Sequence, residues 1–132
     1  QKRIKWSSNM LKSYKELKVW QKSYYLCIEI YKTTRDFPKE ERYGLTSQIR
    51  RASVSVPSNI AEGYGRKTTP EYIRALYIAY GSHCELETQV LLSADLGYIK
   101  SDDLEKLQCI LGDVERMLMG LIRSLENKHL TP

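Results

Sequence analysis

Cysteine is scarce in this chain, and what little there is forms no framework. Cys27, Cys84 and Cys109 are an odd number at wide spacing, with no Cys-x-x-Cys pair. That excludes a disulfide scaffold and a zinc site of the usual ligand spacing. Each lies among apolar residues, where a free thiol normally serves as a small buried hydrophobe, so all three are expected in the core. Histidine is scarcer still. His83 and His129 fall in different segments, and the Glu-x-x-His spacing that a di-iron bundle needs twice occurs only once, at Glu126-Asn127-Lys128-His129; adjacent helical positions such as His83 and Cys84 point about 100° apart and chelate poorly. No apolar run approaches the roughly 18 residues of a membrane span, so no membrane partner is expected. The leading stretch is basic but has neither the apolar run nor the cleavage site of a secretion signal, and the expected compartment is the cytoplasm. No nucleophile elbow, phosphate loop or dinucleotide fingerprint is present. Gly63-Tyr64-Gly65-Arg66-Lys67 has glycines and cations, but it leaves a helix instead of opening one after a strand. No enzymatic activity, catalytic residue, cofactor or metal is therefore expected.

What is present describes one ordinary globular domain: 132 residues, 42% hydrophobic and 28% charged. No internal repeat, low-complexity segment or domain linker interrupts it. The net charge of +5 is unevenly spread. Residues 1–18 hold six basic side chains against Glu16, residues 42–74 six against Glu62 and Glu71, and residues 75–126 four against nine acids. Such polarity can steer a polyanion to one region or bring acidic and basic faces of like subunits together.

Residues 1–14 carry no helical period and read as a flexible basic arm. The first helix is expected over 15–35. Leu17, Trp20, Tyr24, Cys27/Ile28 and Tyr31 recur at the amphipathic period, and Val19, Leu26 and Ile30 form a second stripe. Phe37-Pro38 ends it, and Lys39-Glu40-Glu41 places acids where a new helix N-terminus favours them. The second helix is expected over 39–65, with the stripe Leu45, Ile49, Ala52, Val56 and Ile60. Its small residues Ala52, Ser53, Ser55, Ser58 and Ala61 allow a neighbour to approach closely. Pro57 removes one backbone bond, so the helix either kinks there or breaks at Val56 and restarts; Gly63 and Gly65 stop it.

Thr68-Thr69-Pro70-Glu71 is a strong helix start. The third helix, over 70–96, opens with Tyr72, Ile73, Ala75, Leu76, Tyr77, Ile78, Ala79 and Tyr80, interrupted only by Arg74. A helix apolar on every side must be buried on every side, which a lone bundle cannot provide; this points to an oligomer. Leu96-Gly97-Tyr98 reads as its stop. Ser101-Asp102-Asp103 caps a fourth helix over 102–128, where Leu104, Leu107, Leu111, Val114, Leu118, Leu121 and Leu125 alternate by three and four. Residues 129–132 are a frayed tail. Four such helices with short links predict an all-α, antiparallel up-down-up-down bundle over 15–128.

Candidate functional residues gather in the second helix and the loop after it. Asn59 and Glu62, three apart, share a face and read as a buried polar pair that satisfies groups opened by Pro57 or caps an adjacent helix. Arg50 and Arg51 straddle the stripe edge near Val54. Their guanidinium groups suit either carboxylate or phosphate: a salt bridge to the third or fourth helix or to a neighbouring subunit, or, with Arg66 and Lys67, a nucleic-acid surface.

Tyr43-Gly44-Leu45, Gln48-Ile49-Arg50-Arg51-Ala52, Asn59-Ile60-Ala61-Glu62-Gly63 and Ala79-Tyr80-Gly81-Ser82 together resemble the hallmarks of a bacterial family of four helix bundle proteins, the 23S rRNA intervening-sequence proteins. The resemblance extends from Leu17-x-x-Trp20 to Leu96-Gly97-Tyr98; the basic arm lies outside it and Pro57 departs from it. It implies a bundle assembled as a ring, commonly a homopentamer. The chain is also similar to the accessory protein of diversity-generating retroelements, a basic pentameric barrel that associates with a reverse transcriptase and nucleic acid. The expectation is a non-enzymatic homo-oligomer that binds structured RNA, or a nucleic-acid–protein complex, mainly through Arg50, Arg51, Arg66, Lys67 and the basic arm. The rival is an interaction scaffold whose arginines join subunits without RNA or DNA.

Overall fold

The computed structural model of the chain describes residues 13–130. Four helices follow one another: α1 (Lys18–Thr34), α2 (Leu45–Tyr64), α3 (Thr69–Asp95) and α4 (Ser101–Leu130), with short 3-10 turns at Tyr14–Glu16 and Lys39–Glu41. There is no strand among the described residues. The arm expected over 1–14 lies outside the described residues except at Ser13 and Tyr14. Of the tail expected over 129–132, only the end of α4 lies within them.

The helix ends follow from local chemistry. Ser13 Oγ accepts from Lys15 N, and Thr68 Oγ1 accepts from Glu71 N at 3.3 Å with Pro70 in the first turn of α3. At the far end of α3, Gly97 adopts φ +82°, Gly97 N donates to Ala94 O and Tyr98 N donates to Ser93 O, each at 2.9 Å. This paired closure satisfies two carbonyls that the helix leaves over. The second helix begins later than the sequence predicts. Lys39–Glu41 is a separate turn, the backbone leaves helical angles at Gly44, and α2 starts at Leu45. The acid expected at that N-terminus is Glu41. Its carboxylate accepts from Leu45 N at 3.1 Å and from the Tyr98 hydroxyl at 3.0 Å, tying the start of α2 to the α3–α4 link.

Pro57 neither ends nor restarts α2, which runs through it with Val56, Pro57 and Ile60 all buried. The loss of one hydrogen bond is offset by this packing. Gly63 is not the stop either. It lies inside α2, buried, where an added Cβ would come within 2.8 Å of Ala75 Cβ and 3.3 Å of Tyr72 O; the helix ends one residue before Gly65. The small residues thus do bring α2 and α3 close, and Ser55 Oγ meets Ser82 Oγ across the contact at 2.8 Å.

The core is a continuous stripe from each helix, including Leu26 and Ile30, Ile49 and Ile60, Leu76 and Leu86, and Leu111 and Leu118. In α1 the stripe is Val19, Ser23, Leu26 and Ile30; of the aromatic series expected to lead, only Trp20 is buried, and Tyr31 is exposed. In α4 the inner row passes through Leu107, Leu111, Val114, Leu118 and Ile122, while Leu121 and Leu125 are half-buried. Glu29 of α1 is buried and held by Lys106 of α4 at 3.0 Å and by Lys32 at 3.5 Å.

Candidate nucleic-acid interface

The fold separates the four cations that the sequence groups together. Arg50 turns back onto α1. Its Nε donates to Thr34 Oγ1 at 2.8 Å, a terminal nitrogen donates to Tyr31 O at 3.4 Å, and its guanidinium lies 4.7 Å from the centre of the Tyr31 ring. A cation at the C-terminal end of a helix, against leftover carbonyls and an aromatic face, is electrostatically well placed. Arg50 is therefore a clamp between α1 and α2 within one subunit. The carboxylate partner considered for it is replaced by a hydroxyl, a carbonyl and a ring. Arg51, about 100° around the helix, is exposed and forms no ion pair among the described residues.

Arg66 pairs with Glu62 at 2.8 Å, one turn apart, and both side chains are largely exposed. Lys67 is exposed and forms no such pair among the described residues. At 1.5 Å per residue, Arg51 and the end of α2 are about 20 Å apart along the helix axis, so Arg51 and Lys67 do not form one patch. The polar pair is also divided. Asn59 Nδ2 donates to Ser55 O at 2.8 Å and to Ser55 Oγ at 3.0 Å, joining the contact with Ser82, whereas Glu62 faces solvent with Arg66. Asn59 is half-buried and Glu62 is exposed. Asn59 does not reach the Ser53 carbonyl that Pro57 leaves open; it shares the carbonyl of Ser55.

Besides Arg66 and Arg74, cations that the sequence did not select as site residues join Lys67 at its end of the bundle. The up-down course brings together the start of α1, the α2–α3 link and the end of α4. Residues 13–20 supply Lys15 and Lys18, residues 62–74 supply Arg66, Lys67 and Arg74, and residues 123–128 supply Arg123 and Lys128. Against these seven stand four carboxylates, Glu16, Glu62, Glu71 and Glu126. Glu62 is engaged by Arg66, and Glu126 accepts from the Tyr77 hydroxyl at 2.8 Å. At the opposite end, residues 31–51 and 95–105 hold seven cations and seven carboxylates. The signal for this grouping was legible in the helix lengths, since alternating direction fixes which segments share an end.

The remaining polar features point elsewhere. A shallow groove between α1 and α4, lined by Lys22, Tyr25, Lys106 and Asp113 among others, has its charges already matched by the Lys22–Asp113 pair at 3.3 Å and by Lys106 with Glu29. No group of three or more metal-ligating side chains occurs among the described residues. Cys27 is half-buried against Ser53 Oγ at 3.4 Å, and burial pushes its thiol up. Cys84 and Cys109 are exposed, contrary to the expectation of core filling, because each sits on the outer side of its helix. Four large apolar side chains of α3, Tyr77, Ile78, Leu91 and Leu92, are outside as well, with Leu96 just past its end, each 42–51% exposed.

His83, weighed in the sequence only as a metal ligand, is a buried group. It is 1% exposed on the inner stripe of α3, and neither ring nitrogen has a hydrogen-bond partner. The backbone of Leu111 on α4 approaches the ring without reaching hydrogen-bond geometry. Burial pushes the imidazole below its ordinary range, opposed more weakly by Glu87 on α3 and Glu115 on α4. The unfolded chain takes up this proton near pH 6.5 while the folded chain resists it. As pH falls through that value the unfolded state binds more protons, and stability declines until the folded pKa is reached. Denaturation midpoints are expected to hold steady above about pH 6.5 and to fall below it. In His83→Phe that part of the slope should disappear; an unchanged slope would assign it to the carboxylates.

The fold has counterparts. In a crystal structure, a protein of unknown function from the S23 ribosomal protein family of Bacteroides thetaiotaomicron shares it with a TM-score of 0.74 at 23% identity, over 80% of this chain and 95% of that one. At this identity the likeness shows the fold alone. No curated protein matches the chain. The family model described as 23S rRNA-intervening sequence protein matches residues 15–120, which takes in all of α1, α2 and α3 and most of α4. The chain belongs to the 23S rRNA-intervening sequence protein family.

Proposed function

We propose that this protein is a non-enzymatic homo-oligomer, a ring of the pentameric kind, that associates with structured RNA or a nucleic-acid–protein complex through phosphate contacts. The observation that carries the reading is a surplus of exposed cations without carboxylate partners, with Lys67 and Arg51 among them. Membership in a family named for intervening sequences of 23S rRNA supports RNA over other polyanions. Phosphate contacts supply affinity without reading sequence. Retention of a labelled structured RNA should therefore depend steeply on salt. With four phosphate contacts, raising monovalent salt from about 50 to about 200 mM is expected to weaken binding about 100-fold. Binding that is flat across that range overturns the reading.

A second reading is favoured by the uncovered face of α3: a self-assembling interaction scaffold without nucleic acid, in which Arg51 meets a carboxylate of the next subunit. Arg51→Glu separates the two. It dissolves the ring if the arginine joins subunits and leaves the ring intact if it does not.

A further inference from the structure

We infer that the phosphate-binding surface is the end of the bundle formed by the start of α1, the α2–α3 link and the end of α4, and not the arginine pair of α2. This rests on the reading that the protein binds nucleic acid, and it says where. Arg50 is consumed by Thr34 and Tyr31, so the pair offers one free guanidinium, Arg51, in a half of the molecule whose charges cancel. The other end holds Lys18, Lys67, Arg74, Arg123 and Lys128, all exposed and without ion-pair partners among the described residues. Two of the four carboxylates there are already engaged, Glu62 by Arg66 and Glu126 by Tyr77.

Three segments far apart in sequence contribute, so the cations are spread over an end face and do not line one helix. That spacing suits a polymer of phosphates, which presents charge at regular intervals, better than a single small anion. A ring closed by lateral contacts along α3 repeats every subunit in the same sense. All the basic ends then fall on one rim, and weak contacts multiply by avidity.

The test measures binding of a fluorescently labelled RNA hairpin to the full chain across a salt series, comparing wild type, Lys67→Glu/Arg123→Glu and Arg51→Glu. These side chains are exposed; molar mass and helical circular dichroism are measured on each variant, and if Arg51→Glu loses its assembly, Arg51→Gln takes its place in the comparison. The end-face variant is expected to lose at least about tenfold in affinity and to flatten the salt slope by about two, one for each lost phosphate contact. Arg51→Glu should match wild type. If Arg51→Glu loses affinity as much as the end-face variant or more, the surface lies on α2 and this inference fails while the binding reading stands. If wild type binds the hairpin without salt dependence, or not at all, the binding reading itself fails.

Discussion

The double variant Ile78→Glu/Leu92→Glu is expected to appear in solution at 15.4 kDa, the mass of a single chain, where wild type gives a multiple of it. The two positions are two heptads apart on α3 and share its outer face with Tyr77, Leu91 and Leu96. One exposed leucine is unremarkable, but four large apolar side chains along one helix, with Leu96 just past its end, form a face that calls for a partner. The inner stripe of the same helix, through Leu76, Ala79, His83, Leu86 and Val90, is fully occupied by the bundle core. The outer face is left uncovered by the described residues of the subunit, and in the proposed assembly a second copy of the chain covers it. A carboxylate buried there without a partner costs about 3–5 kcal/mol, about two to four orders of magnitude in association for each position. Cys84 lies midway along this face. Its thiol should react slowly with an alkylating reagent in wild type and quickly in the double variant. Wild type running at the mass of one chain would sink the proposed assembly.

Gly63→Val is expected to cost the fold about 3 kcal/mol, a large share of the roughly 5–15 kcal/mol that holds a domain together. The reason is space. A Cβ at residue 63 meets Ala75 Cβ at 2.8 Å, Tyr72 Cδ1 at 3.1 Å and the Tyr72 carbonyl at 3.3 Å. Two of these three belong to the framework of α3, so α2 and α3 must separate before the side chain fits. Moving them apart also loosens the Ser55–Ser82 contact and the edge-to-face packing of Tyr64 on Tyr72, whose rings lie 6.0 Å apart. Gly120 is the control. It is exposed on α4 with nothing within 4 Å of an added Cβ, so Gly120→Ala should gain up to about 1 kcal/mol from helix propensity. Denaturant midpoints of the two variants should move in opposite directions. A Gly63→Val midpoint within error of wild type would show that the α2–α3 contact yields easily.

This contact gives a physical meaning to the glycine of Asn59-Ile60-Ala61-Glu62-Gly63. In sequence Gly63 looks like the end of a helix; in the fold it is the point of closest approach to the next one. The same motif divides by role. Ile60 fills the core, Asn59 joins the serine contact to α3, and Glu62 stays in solvent with Arg66.

Sequence alone determined the number of helices, their order and most of their ends, and therefore which segments share an end of the bundle. Those properties come from short-range effects: apolar period, the Thr68 cap, Pro70 in a first turn, Gly97 in a left-handed closure. The boundary it misplaced, at Leu45, depends on a carboxylate that also needs Tyr98, 57 residues from Glu41. The motifs also disclosed the family. Only the tertiary structure decided the fate of individual polar groups. Arg50 finds Thr34 across a helix pair, Cys84 and Cys109 turn outward, His83 loses its water, and Arg51 and Lys67 end at opposite halves of the molecule. Each of those outcomes is set by which face of one helix meets which face of another. A helical period shows that a face exists, but the partner that covers it comes from a distant part of the chain.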